Sequence, residues 1–284
     1  MVPFHLDKEN IGMGKGPIRF LNEGIVQNLK DQGYQVRVER IQIQKQSNDE
    51  LKTIAILNNN LGRIVEKALK DGFFPFILGG NCNTCLGTLA GFDIKPGIIW
   101  FDAHGDFNTP ETTPSGFIDG MGLAIATGQC FHDIDSIIEN MQPIQESYTL
   151  HIGARDLDPE ERKLLENTDV LKVEAGILKN EGIQSSLLPR LKELKSQIQQ
   201  IYLHIDIDVL DPSIAPGVDF PSPKGLFLNE LEEAINIIAD NVQIKAAALT
   251  AYNPEKDIDN ITLHTGFKIV NLILALVRNQ LISN

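Results

Sequence analysis

Three cysteines in 284 residues cannot supply a disulfide framework, which argues for a reducing compartment and points to the cytoplasm. Basic residues are also scarce: 25 Lys and Arg against 38 Asp and Glu leave a formal net charge of −13. Such an excess speaks against nucleic acid or an anionic membrane as partner. No apolar run reads as long enough to span a bilayer, and the start, Met1-Val2-Pro3-Phe4-His5, lacks the pattern of a secretion signal. Repeats, low-complexity tracts and linkers are missing too, so residues 1–284 read as a single domain. What remains is the composition of an ordinary globular protein, 42% apolar and 22% charged.

Strand-like apolar runs alternate with amphipathic stretches. Strands are expected over Gln35–Ile41, Phe73–Leu78, Gly97–Asp102, Tyr148–Gly153, Val170–Val173, Tyr202–Val209 and Ile244–Thr250. Leu51, Ile54, Leu57, Leu61 and Ile64 recur at helical spacing, and Leu187–Ile198, Leu226–Ile238 and the segment around Ile269–Val277 read as helices. This alternation predicts an α/β fold whose parallel sheet is covered on both faces, with ligands bound beyond the carboxyl ends of its strands.

Two acidic clusters sit at such ends. Asp102-Ala103-His104-Gly105-Asp106 follows Gly97-Ile98-Ile99-Trp100-Phe101, and Asp206-Ile207-Asp208 closes Ile201-Tyr202-Leu203-His204-Ile205. On an extended backbone alternate side chains share a face, so Asp102, His104 and Asp106 would converge, as would Asp206 with Asp208. Carboxylates beside apolar strands are costly to bury without a positive partner. A divalent cation is the partner this pattern predicts. Oxygen-rich ligation with one imidazole suits Mn²⁺ and admits Zn²⁺. His204 lies on the face of the aspartates and is a candidate for orienting a ligand. Trp100 reads as core.

The runs Trp100–Asn108 and His204–Gly217 resemble the two signatures of the ureohydrolase superfamily, which contains arginase, agmatinase and formimidoylglutamase. Gly12–Pro17, Leu78–Cys82, Gly153–Glu161 and Tyr252-Asn253-Pro254 extend the resemblance over nearly the whole chain. It implies a three-layer α/β/α sandwich with a mainly parallel sheet, one or two divalent ions, a small-molecule substrate and a homo-oligomer. It implies one ion held by Asp102, His104, Asp206 and Asp208. A second would use Cys82, Asp102, Asp106 and Asp206, with Cys82 standing where the family has a histidine. A thiolate there shifts preference from Mn²⁺ toward Zn²⁺, Fe²⁺ or Co²⁺. Cys82-Asn83-Thr84-Cys85 also has the spacing of a redox pair, and a buried non-ligating Cys82 is a further alternative.

Other departures fall in the loop Asn108–Gly120. Asp119 replaces the family's proton-shuttling histidine, and is a hydrogen-bond acceptor for a cationic amidine, a general base or a helix N-cap. Phe117 replaces the asparagine that in arginases contacts the substrate α-carboxylate. Ala251 replaces a glutamate that clasps the guanidinium. Asn108 and Ser115 of the same loop are expected near substrate. Asp158 and Glu161 match positions around the substrate amino group, although Asp158-Pro159-Glu160-Glu161 is also an ordinary helix start. Arg155 is expected to pair with carboxylates. The resemblance thus implies a hydrolase of linear guanidino, amidino or formimino C–N bonds rather than of arginine, with Asp106 and Asp119 catalytic. A non-catalytic metal-binding scaffold or regulatory subunit, and a single-metal deacylase, are the competing readings.

Overall fold

Among the described residues of the computed structural model, 1–43 and 47–283, the predicted parallel sheet has six strands. They are β3 (Phe76–Leu78), β4 (Gly97–Phe101), β5 (Thr149–Ile152), β6 (Leu171–Val173), β7 (Gln200–Asp206) and β8 (Gln243–Thr250). A short antiparallel pair, β1 (Phe4–His5) and β2 (Lys8–Glu9), precedes them. Helices α1 (Lys15–Asn22), α2 (Ile25–Asp31), α3 (Glu50–Lys70), α4 (Cys85–Ala90) and α5 (Gly122–Ala126) come first along the chain. Next are α6 (Pro159–Glu166), α7 (Ala175–Glu181), α8 (Ile183–Lys195), α9 (Leu228–Asn241) and α10 (Ile261–Ser283).

Period two makes the layers. Ile98 and Trp100 of β4 join Tyr202, Ala246 and Ala248 in a core closed by α3, α4 and α5. Ile99 and Phe101 join Ile201, Leu203 and Ile205 in the opposite core, closed mainly by α8, α9 and α10. Every residue of β4 is buried, as expected of a strand covered on both faces. The result is the expected three-layer sandwich.

The strand order β3-β8-β7-β4-β5-β6 reverses between β4 and β7. From β4 the chain passes through α5 to β5 on one side; from β7 it passes through α9 to β8 on the other. Connections that part in opposite directions leave a crevice at the strand ends, the usual place for a ligand in such sheets. Both acidic clusters open into it.

Two expectations fail at the sheet edge and the C-terminus. Gln35–Ile41 is extended but forms no strand. Only Met1 and Val2 lie between it and β3: Ile41 N donates to Met1 O (2.9 Å), and Val2 N to Leu78 O (2.9 Å). The rest of the interval is a cavity of about 470 Å³, lined in part by Val36, Val38, Phe76 and Leu274. Met1 N also donates to Glu39 O (2.6 Å), and these two bonds at Glu39 and Ile41, the backbone pairing of the segment among the described residues, are too few for a strand ladder. Helix α10 is long and apolar enough to cross a membrane, with mean hydropathy 1.4 over Ile261–Ile282. It packs instead on β8 and α9, which explains its composition as that of a core helix.

Candidate metal centre

The loop after β4 does not stay extended, contrary to expectation. The strand ends at Phe101, and Asp106 adopts φ 47°, a left-handed conformation rare outside glycine. It is held there because Leu123 N and Ala124 N both donate to Asp106 O (2.9 and 3.0 Å). The loop's inner wall is Glu161, whose Oε1 accepts from Phe107 N (2.9 Å) and whose Oε2 accepts from Asp158 N (3.2 Å). A Cβ on Gly105 would lie 2.6 Å from that Oε1, so only glycine lets the loop approach the brace so closely. The β7 cluster bends as well. Asp208 lies in the 3₁₀ turn Ile207–Val209, and Asp206 Oδ1 accepts from Asp208 N (2.8 Å). Turns, rather than strand alternation, bring these carboxylates together.

Asp102, Asp106, Asp206 and Asp208 are all buried. Two groups of donor atoms emerge among the described residues, each within 4.8 Å: Cys82, Asp102 and Asp206, and Asp102, His104 and Asp208. Asp102 belongs to both. Asp106 belongs to neither, and its buried Oδ2 has no hydrogen-bond partner among the described residues. His104 Nδ1 lies 3.1 Å from Asp208 Oδ2 and 3.4 Å from Asp102 Oδ1. Trp100 Nε1 donates to Asp102 Oδ2 (3.1 Å), His104 N to Asp102 Oδ1 (2.8 Å) and Ala103 N to Asp208 Oδ1 (3.2 Å).

Burial and mutual repulsion dominate the electrostatics of these carboxylates. Burial, then the Asp208 charge, pushes the Asp102 carboxyl up to about 6. Burial raises Asp106 and Asp206 well above the usual carboxylate range, and neighbouring aspartates add to it. Burial opposes protonation of His104, but the Asp208 and Asp102 carboxylates overcome it and hold the imidazolium up to about 12. The same imidazolium draws Asp208 below its ordinary value against the cost of burial. Crowded acids, one imidazole, one thiol and an unpartnered oxygen fit divalent cations.

Other expected site residues take clear places. Both oxygens of Asp119 are engaged: Oδ1 accepts from Asn83 N (3.0 Å) and Oδ2 from Asn81 Nδ2. Asp119 therefore caps the turn Cys82–Thr84 across the crevice, and does not cap the helix after Gly120. Burial raises its carboxyl to about 7, with those hydrogen bonds pulling it down. Asn108 Nδ2 donates to Asp158 Oδ2 (3.0 Å), while Asp158 and Glu161 form the capping box of α6. Ser115 is exposed and accepts from Phe117 N (3.2 Å). Phe117 packs toward Phe220 (ring centroids 5.5 Å) and His5 (6.1 Å), and Phe220 meets the His104 ring edge-on (6.2 Å).

Arg155 does not pair with carboxylates as expected. Its guanidinium donates to the main-chain carbonyls of Gly153, Asp208, Val209, Leu210, Ser222 and Pro223, tying the segment after β7 to the loop at 222–223. Truncation would strand several half-buried acceptors. Arg155→Ala is expected to cost about 3 kcal/mol of stability, measured from the urea midpoint; an unchanged midpoint would mean that water replaces the guanidinium.

Sequence reasoning missed Thr250, Tyr202, Asn81, Asn83 and Phe220. Tyr202 was within reach, since it continues the Asp206–His204 face by two residues. Thr250 was not, because its place opposite Asp206 is set by the β7–β8 register. His204 stacks on Trp100 at 3.6 Å and touches no aspartate by hydrogen bond; its ring nitrogens face Tyr202 and Thr250.

The sequence pattern of the Arginase family matches residues 1–275. Arginase from Bacillus caldovelox is 32% identical over 287 residues, covering 96% of each chain. The crystal structure of arginase from Bacillus subtilis superposes with a TM-score of 0.87 at 32% identity, covering 96% of each chain. Formimidoylglutamase from Bacillus subtilis shares the fold, with a TM-score of 0.76 at 20% identity over 97% of this chain and 84% of its own.

Proposed function

Because this chain belongs to the arginase family, we propose that it hydrolyses a linear guanidino, amidino or formimino C–N bond whose substituent is apolar, in preference to arginine. The observation that carries the reaction class is the meeting of Cys82, Asp102, His104, Asp206 and Asp208 in one buried cluster at the sheet's switch point. Divalent cations held there, manganese or another first-row ion, would supply Lewis-acid activation of water. Asp102, common to both donor groups, would be shared.

The chain's own residues do the rest. Asp106 is the group for handling protons, since its Oδ2 is buried, unpartnered and beside the cluster. It can accept from an N–H of the planar substrate or from the attacking water. Water adds to the amidine carbon, the C–N bond breaks, and the departing nitrogen needs a proton that a neutral Asp106 can return. The general-base role expected for Asp119 does not suit a carboxylate with both oxygens occupied; we assign it the positioning of Asn81–Thr84. Asn108, Asp158 and Glu161 hold the wall of the crevice, and Ser115 orients the loop before Phe117.

Substrate preference is argued from the aromatic arc of His5, Phe117 and Phe220 leading to His104. The phenyl rings of Phe117 and Phe220 offer no donor to an α-carboxylate, and Ala251, buried at φ 63°, offers no charge to a guanidinium. The full-length similarity to arginases favours arginine as the second reading. The test is release of urea, ammonia or amine from a panel containing arginine, straight-chain alkylguanidines and formimino compounds. An alkylguanidine is expected to exceed arginine in kcat/KM by about tenfold or more, roughly what a methylene or two in an apolar pocket is worth. Arginine as the best substrate establishes the second reading; no turnover of any member with metal bound points to a scaffold. A cytoplasmic homo-oligomer completes the proposal, the three buried, unpaired cysteines suiting a reducing compartment.

A further inference from the structure

We propose that Cys82, with Asp102 and Asp206, forms a sulfur-bearing cation position of its own character, selecting a thiophilic ion over Mn²⁺ and tuned by a buried hydrogen-bonded chain from Tyr202 through His204 and Thr250. The inference rests on the reading that the cluster holds divalent cations, and concerns which ions and by what means.

Cys82 is 1% exposed and lies on the turn after β3 that Asp119 caps from across the crevice. Its sulfur points inward: Sγ is 2.9 Å from Asp206 Oδ2 and 3.1 Å from Thr250 Oγ1. A cysteine merely filling core space meets carbon, whereas this one meets a carboxylate and a hydroxyl at the floor of the cradle. The soft thiolate brings a preference for Zn²⁺, Co²⁺ or Cd²⁺, while the position of Asp102, His104 and Asp208 has only oxygen and imidazole and suits harder ions. The two positions would therefore be filled differently.

A chain of hydrogen-bonding groups stands behind the sulfur. Tyr202 Oη lies 2.7 Å from His204 Nδ1, and Thr250 Oγ1 lies 3.3 Å from His204 Nε2. Thr250 Oγ1 lies 3.1 Å from Cys82 Sγ and 3.3 Å from Ile205 O, so its single hydrogen has both as acceptors. A donor aimed at sulfur suits a ligating thiolate, and such outer partners commonly change metal affinity by about tenfold or more. Ligation would require the Cys82 thiol to lose its proton, which Asp206 Oδ2, 2.9 Å away, is placed to accept.

The test uses the full chain, stripped with chelator and titrated with Co²⁺ alone. The wild type is expected to show sulfur-to-cobalt charge-transfer absorption in the near ultraviolet and to fill both positions. Cys82→Ser should lose that band and one position, yet still bind Co²⁺ at His104. Thr250→Val should keep the band but displace it in energy. In competition, Cys82→His should shift preference from Zn²⁺ toward Mn²⁺ by about tenfold or more. Cobalt bound by the wild type without a sulfur band, or a band that survives in Cys82→Ser, would overturn the inference while leaving the hydrolase reading intact. Failure of the wild type to bind Co²⁺, Zn²⁺ or Mn²⁺ at all would overturn both.

Discussion

Asp206→Asn is expected to reduce hydrolysis by about a thousandfold or more, equivalent to about 4 kcal/mol of lost transition-state stabilisation. Asp206 joins Cys82 and Asp102 in one donor group and, through its bond from Asp208 N, shapes the turn that presents the other. The same substitution should scarcely change the heat stability of the metal-free protein at neutral pH. Burial and the charges of Asp208 and Asp102 raise the Asp206 carboxyl well above its ordinary range, which favours its neutral form, and an amide has nearly the same shape and no charge. What should vanish is the stabilisation on adding metal, about 4 kcal/mol for the wild type when the ion stands at a thousand times its Kd. Calorimetry with and without metal separates the two effects. If the variant retained the metal-induced rise in Tm, Asp206 would not be a ligand.

The second large effect is a reversal of pH dependence by metal. In the metal-free protein, Asp102 titrates near 6, Asp119 near 7 and Glu161 near 7, each raised mainly by burial. Between about pH 4 and 7 the folded chain therefore holds protons that the unfolded chain has released. The unfolded state binding fewer protons, stability falls as pH rises through this window. His104 acts in the same sense above its unfolded value near 6.5, because its folded value is raised to about 12. At about 1.36 kcal/mol per pKa unit and about 2 °C per kcal/mol for a chain of this size, the metal-free Tm should be about 15 °C or more lower at pH 8 than at pH 5. Metal ligands must be deprotonated, so binding tightens with pH and the loaded protein should show the opposite slope. Parallel slopes in the two forms, measured by calorimetry at matched ionic strength, would sink the cradle as an electrostatic entity.

Much of the molecule was legible in the chain. Full burial of β4 follows from an apolar run without alternation, and α3 from its spacing, its cap at Asp49 and its basic last turn. The crowding of aspartates beside apolar runs announced a cation because acids do not otherwise enter a core. The extended segment at Gln35–Ile41 misled, since strand propensity cannot say whether a neighbour is present to bond it.

Composition and local pattern, then, determined the layers, the strand ends that carry the site and the kinds of atom that meet there, because burial and period are properties of short stretches. Only the tertiary structure decided how those atoms meet. The left-handed turn at Asp106 is held from α5, Asp119 is spent on a turn from the other wall, and Arg155 holds carbonyls rather than acids. The placing of Thr250 behind Cys82 belongs with them, for each of these depends on contacts between residues distant in the chain.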